Sequence, residues 1–321
     1  MALAGVGTQC FNCHNMHNSE NDNLLELGCV GCHSHDGPES IVVMADARIP
    51  IVYNTGSAPE AMLAGGNFHW LAKKGDQYGH NVLGIRGQDA ILATAPGGPT
   101  GCAGSCHQSL ALATVSVPGG SRTQNDGCQG CHGSVRHHRP AVAPGTPASA
   151  ESGWYRFLKA PDFHDFAAGS QGVSGIGDSD WEQNPTSVRH NIYYGQAGSQ
   201  GAARSLNSFC SSCHRNFHGP GKDANGGVTS PWLRHPTNYA IPNKGEFATV
   251  IGREYSPLTP VAKPSLTSYN AAKVQQGDLL TCISCHRAHG SAHPDMLRWD
   301  YGEMRAHQGG EAAGTGCFYC H

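Results

Sequence analysis

Every cysteine in this chain belongs to a short, repeated arrangement that ends in a histidine. Cys10 and Cys13 are followed at once by His14, Cys29 and Cys32 by His33, and Cys128 and Cys131 by His132. The pattern returns at Cys210, Cys213 and His214, at Cys282, Cys285 and His286, and at Cys317, Cys320 and His321. A seventh copy, Cys102, Cys106 and His107, carries one extra residue between its cysteines. Together they use all 14 cysteines of the 321-residue chain. Cys-x-x-Cys-His is the attachment pattern of c-type haem. Two thiols about one helical turn apart can each form a thioether to a vinyl group of one porphyrin, and the adjacent imidazole then ligates the iron from the proximal side. Rival chemistries fit less well. A zinc site draws four ligands from two knuckles and requires no histidine after each. A redox dithiol would occur once, and an i,i+3 disulfide is geometrically awkward. The reading is seven covalently attached haems c, with the seven histidines named above as proximal ligands.

The chain holds 20 histidines, so thirteen remain for other work. His17 follows His14 by three residues, too short a segment to wrap around the same porphyrin to its distal face. It must serve another haem or none, and the same holds for His35, His218 and His289. His80 in "GHNV" and His190 in "RHNI" precede Cys102 and Cys210 at similar separations. With His235 in "LRHP" and His138 of the His137–His138 pair, these complete the distal candidates: His17, His35, His80, His138, His190, His218, His235 and His289. His69, His164, His293 and His307 are left between surface positions, propionate contacts and ligation. Imidazole on both axial positions leaves no open site on iron, which disfavours chemistry on a small substrate and favours electron transfer. No catalytic residue is identified, and the chain is not read as an enzyme. Of the 21 basic residues 14 are arginines; Arg122, Arg136, Arg139, Arg215 and Arg287 lie near motifs and suit the haem propionates.

The elements that position these residues should be few. Glycine numbers 43 and proline 19, which favours turns. Charged residues are 14%, against roughly 25% in an average globular protein. Aromatic residues are only 7%. A chain so poor in large apolar side chains cannot build a wide core of its own. The expected fold is mostly irregular coil with short α-helices and minimal β structure, the haems themselves forming the core. Residues 1–321 are read as a single heptahaem domain with an exposed connector at about 141–153. No basic stripe suggests nucleic acid, and no apolar run approaches the ~18 residues that span a bilayer. No signal peptide is visible at the N-terminus; covalent haem attachment implies that one has been removed.

The words around the motifs are more specific than the motifs. "CFNCHNMHNS", "CVGCHSHDGPES", "GGNFHWLAKK", "TAPGG", "WYRFL", "CSSCHRNFH", "WLRHP" and "CISCHRAHGSAHPDMLR" occur in an order that resembles the OmcS-type cytochromes, extracellular hexahaem proteins that polymerise into filaments. The resemblance implies a row of stacked haems continuing from one subunit into the next. It also implies that the histidine of the CHxMH segment, here His17, is given to a haem of the adjacent subunit. One haem is additional here, and the odd spacing makes Cys102–His107 the newcomer, with His190 and the His137–His138 pair as candidates for its distal ligand. The function so implied is electron transfer through a homopolymeric, secreted filament that receives electrons from upstream cytochromes. A monomeric periplasmic carrier is the alternative, and a multihaem reductase, which needs a five-coordinate haem, is a third.

Overall fold

The computed structural model describes residues 10–14, 28–44, 47–92, 95–97, 110–111, 127–132, 135, 137, 155–158, 172–197, 204–214, 235–305 and 315–321. The predicted connector near 141–153, the Cys102–His107 motif, and His17, His138 and His218 lie outside these residues.

Regular structure is sparse, as the glycine and proline content predicts. Three helices of five or six residues are present: α1 (Cys29–His33), α2 (His69–Lys74) and α3 (Leu206–Ser211). Helices this short do not persist on propensity alone, and local devices hold them. Ser205 caps α3 by accepting the Ser208 N–H, and Thr281 and Ser284 form a reciprocal capping box on the turn Cys282–Ser284.

The strands are equally brief. β1 (Ser34–His35) pairs in parallel with β4 (Tyr53–Asn54), and β2 (Ile41–Met44) forms a hairpin with β3 (Ala47–Pro50). A five-stranded sheet joins β5 (Gly175–Ile176), β6 (Ile192–Tyr194), β7 (Tyr239–Ala240), β8 (Ala262–Lys263) and β9 (Leu279–Leu280) in the order β5-β6-β8-β9-β7. Only β6 and β8 run parallel in it.

The apolar core is divided into small patches. Tyr155, Val173, Tyr193, Leu206, Ala262 and Leu279 pack on the sheet, Tyr255, Val261, Val274 and Tyr319 lie beside it, and Phe68, Leu71 and Val82 form a third patch. Buried polar groups are as prominent. Lys263 and Asp278 are each 1% exposed and meet at 2.6 Å. Burial opposes the charged form of both, lowering the lysine pKa and raising the aspartate pKa. The lysine also donates to the Lys273 carbonyl, and Asp278 accepts the Gln275 N–H.

Two distant stretches of sequence are zipped together. Asn67 N–H donates to the Gly290 carbonyl and His289 N–H to the Gly65 carbonyl, while Lys74 reaches the Ala292 carbonyl. The backbones approach closely only because Gly290 has no side chain. A Cβ there would stand 2.5 Å from the Tyr78 carbonyl oxygen and 2.8 Å from that of Asn67, at a φ of +153°. This zipper brings the segment carrying His80 against the segment carrying His286 and His289.

Candidate haem-binding site

Each described motif begins on a single tight turn. Cys10–Asn12, Gly127–Gly130, Cys282–Ser284 and Gly316–Tyr319 are 3₁₀ turns, and the motifs at Cys29 and Cys210 lie on α1 and α3. The bonding is repeated almost atom for atom. The carbonyl of the first cysteine accepts the N–H of the second cysteine at 3.2–3.3 Å and that of the histidine at 2.8–3.0 Å in the motifs ending at His132, His214, His286 and His321. A double acceptor of this kind fixes both thiols and the imidazole relative to one turn. That is the rigidity a two-point covalent attachment requires.

The motifs are neighbours in space in the order of the chain. The thiol of Cys29 touches that of Cys128, and each alters the ionisation of the other. Burial pushes the Cys131 thiol up to about 12, with smaller effects from Cys213 and Cys210. Cys210 in turn contacts Cys282. Burial pushes Cys285 up to about 11, and Cys317 and Cys320 act on it as well. Five motifs thus follow one another in a row.

Across this row histidines face one another in pairs. His33 faces His137, His132 faces His289, and His235 faces His321, each with ring centroids 6.1 Å apart; His80 faces His214 at 6.0 Å. These distances lie at the long end of ordinary aromatic pairs. They match one metal ion between two ring nitrogens, since two metal–nitrogen bonds of about 2 Å plus the ring radii give roughly 6 Å. Each pair contains one motif histidine. Nδ1 of the ring is oriented in most of them by an oxygen: Pro50 for His33 (2.9 Å), Ala288 for His80 (2.6 Å), Arg156 for His132 (3.0 Å) and Pro96 for His214 (2.8 Å). Pro236 serves His235 at 3.1 Å and Asp295 serves His286 at 2.8 Å. Such a bond puts the proton on Nδ1 and leaves the Nε2 lone pair for a metal. Burial keeps several of these rings neutral, lowering the pKa of His80, His132 and His286, and that of His289 to about 3. The donor set and spacing fit haem.

Two of the orienting carbonyls come from strained turns. Arg156 and Phe157 have φ of 48° and 59°, and Asp295 and Met296 both have 57°. Successive positive φ values at non-glycine residues are uncommon. Here they turn the Arg156 and Asp295 carbonyls onto the motif histidines. No sequence signal marks either turn.

Two distal candidates make other contacts in this structure. His35 Nδ1 accepts the Gly37 N–H at 3.0 Å and lies 3.0 Å from a Glu39 carboxylate oxygen. His190 has both ring nitrogens against carbonyls, Asn191 at 2.7 Å and Ala271 at 3.0 Å, and stacks on Tyr255 at 3.6 Å. It is a packing residue in this arrangement. Of the His137–His138 pair, His137 is the described member, and it faces His33. His80, His235 and His289 stand opposite motif histidines as their sequence positions suggested. Arg287 is held by the Leu63 carbonyl at 2.8 Å, and burial lowers its pKa to about 9.

Known proteins carry the same features. Residues 272–321 match the family model of the doubled CXXCH motif. The C-type cytochrome OmcS of Geobacter sulfurreducens is 24% identical over 338 residues, covering 85% of this chain and 69% of its own length. The chain is a multihaem c-type cytochrome homologous to OmcS. Haem c is its covalently bound cofactor. Two solved structures are similar over most of the chain. The Outer Membrane Cytochrome S filament from Geobacter sulfurreducens covers 94% of this chain and 85% of its own at 19% identity and a TM-score of 0.49. A second, of OmcS nanowires from the same organism, covers 98% and 90% at 18% identity and a TM-score of 0.47. Among the described residues no helix of the cytochrome is long and apolar enough to cross a membrane.

Proposed function

We propose that this cytochrome is the subunit of an extracellular homopolymeric filament that conducts respiratory electrons along seven bis-histidine haems to external acceptors. Haem supplies one-electron chemistry when bound; the chain supplies attachment, spacing and axial closure. The observation that carries the reading is the row of motifs crossed by four imidazole pairs at 6.0–6.1 Å. In this reading His137, His80, His289 and His235 are distal ligands to the irons of His33, His214, His132 and His321. With both axial sites filled, the cytochrome is an electron carrier rather than an enzyme.

The assignment of His17 to a haem of the adjacent subunit is part of this proposal, and so is the treatment of residues 1–321 as one heptahaem unit. Filament formation is supported by the filament and nanowire forms reported for OmcS. It is supported also by the low charge and by exposed Phe11, Val43, Ile91, Val188 and Tyr301, which suit surfaces covered on assembly. Upstream cytochromes are the expected electron donors, and the cell exterior the expected location.

Intact-mass measurement of the native protein tests the haem count, and negative-stain microscopy tests the assembly. Seven haem additions and filaments are expected. Markedly fewer additions would overturn the heptahaem reading. Isolated monomers retaining every axial ligand would favour the periplasmic carrier instead.

A further inference from the structure

One histidine that the sequence left between a surface position, a propionate contact and ligation has the features of an iron ligand. His69 opens α2 and is buried. Its Nδ1 meets the Asn54 carbonyl at 2.8 Å, the arrangement seen at His33, His80, His132, His214 and His286. Its Nε2 makes no hydrogen bond among the described residues. This contrasts with the other well-buried imidazole, His190, whose two nitrogens are both engaged.

The support behind His69 is elaborate and rigid. Asn54 and Asn67 are buried side by side, and Asn67 Nδ2 donates to Asn54 Oδ1 at 2.7 Å. Asn67 Oδ1 accepts both the Asn54 N–H at 3.1 Å and the His69 N–H at 2.9 Å. Asn54 Nδ2 donates to the carbonyls of Gly37 and Glu39. Every amide group in this network is satisfied, and together they fix the ring they carry. A ring oriented this firmly through Nδ1 presents an uncommitted Nε2 lone pair, which a metal can complete.

A second polar group beside it is incomplete too. The indole Nε1–H of Trp70 is buried and has no partner among the described residues, and the Trp70 ring stands edge-on to His69 at 5.0 Å. A haem presents both missing partners at once: an iron for Nε2 and propionate oxygens for an N–H donor.

We infer that His69 is an axial ligand to a haem iron, with Trp70 a donor to a propionate. The inference rests on the multihaem reading above, and intact mass separates the two: a chain without haem fails that reading, whereas a fully loaded chain tests His69 alone. The source of the iron is this chain or a neighbouring copy.

The experiment compares the oxidised holoproteins of wild type, His69→Ala, His69→Met and His190→Phe by electron paramagnetic resonance and visible absorption. With haem number unchanged, His69→Ala should convert one low-spin haem to a high-spin, imidazole-rescuable form, and His190→Phe should convert none. Should the alanine variant fail to load haem, His69→Met provides the reading, since thioether ligation raises one midpoint potential and adds a sulfur-to-iron charge-transfer band. If the high-spin fraction is already present in dissociated wild-type subunits and vanishes on assembly, the iron belongs to the neighbour; if it is absent from both, the iron is the chain's own. A fully loaded His69→Ala or His69→Met variant whose spin states and potentials equal those of wild type overturns the inference.

Discussion

Two ends of the row show how much of a haem site is constrained and how much is free. At one, His33 and His137 lie 6.1 Å apart with planes 25° from parallel, and His33 is oriented by the neutral carbonyl of Pro50. At the other, His235 and His321 are again 6.1 Å apart, but their planes are 87° apart and His321 faces the carboxylate of Glu246 at 3.2 Å. Span is constant because a single ion must be reached from both sides. Ring angle and the charge behind the ring vary because many backbone routes achieve that span. Potential can therefore be tuned along the row without altering its geometry.

The strongest way to break this comparison is to remove one imidazole from each pair. His137→Ala and His235→Ala should each turn only their own site high-spin, with rescue by added imidazole, as read by electron paramagnetic resonance. A spin change at neither site would mean that the shared 6.1 Å spacing has nothing to do with iron. The same measurement on wild type should resolve two kinds of low-spin signal. Perpendicular imidazoles perturb both dπ orbitals of the iron equally, whereas near-parallel ones split them.

Next in size is Gly290→Ala. The new methyl would collide with the Tyr78 carbonyl oxygen 2.5 Å away, at an expected cost of about 2–4 kcal/mol in denaturant unfolding. Because the zipper carries His80 and His289, the His80–His214 and His132–His289 sites should lose low-spin character while both end sites keep it. Smaller again is Glu246→Gln. An exposed charge-assisted contact contributes up to about 1 kcal/mol, so a midpoint potential should rise by roughly 10–40 mV in spectroelectrochemistry. The His33 site, with only a backbone carbonyl behind it, should not move.

The smallest effect concerns the loop that follows α2. Arg86, then the Ala90 N–H and Asn81, hold the Asp76 carboxyl below the usual carboxylate range. A lowered folded pKa adds stability above the unfolded value, and that stability is lost as pH falls through the folded one. Protection of the Ala90 amide against hydrogen exchange should therefore decline below about pH 4, by less than about 1 kcal/mol given the exposure of the pair.

The candidate attachment residues stand out in the sequence because their chemistry is local: seven short motifs absorb every cysteine. Sparse secondary structure followed from composition for the same reason. Distal pairing was legible only in part. That His289 must leave its own motif is a matter of chain length, but that it meets His132 depends on contacts between remote segments. The hydrogen bonds of His35 and His190 were not legible either, because ring-nitrogen partners are set by neighbours that spacing does not reveal. The carbonyls of Arg156 and Asp295 were invisible for a different reason: non-glycine residues at positive φ carry no compositional mark.

The pairing of distant segments bears on how the cytochrome matures. His132 faces a residue 157 positions later, His289, and His80 faces a motif histidine 134 positions later, His214. A polypeptide threaded outward from its N-terminus would present Cys128 and Cys131 for attachment well before His289 arrives, whereas His80 would already have emerged when Cys210 and Cys213 follow. On the bis-histidine reading a haem held there would meanwhile be shielded on one face only, so the last third of the polypeptide acts as the closing half of a clasp on the middle third.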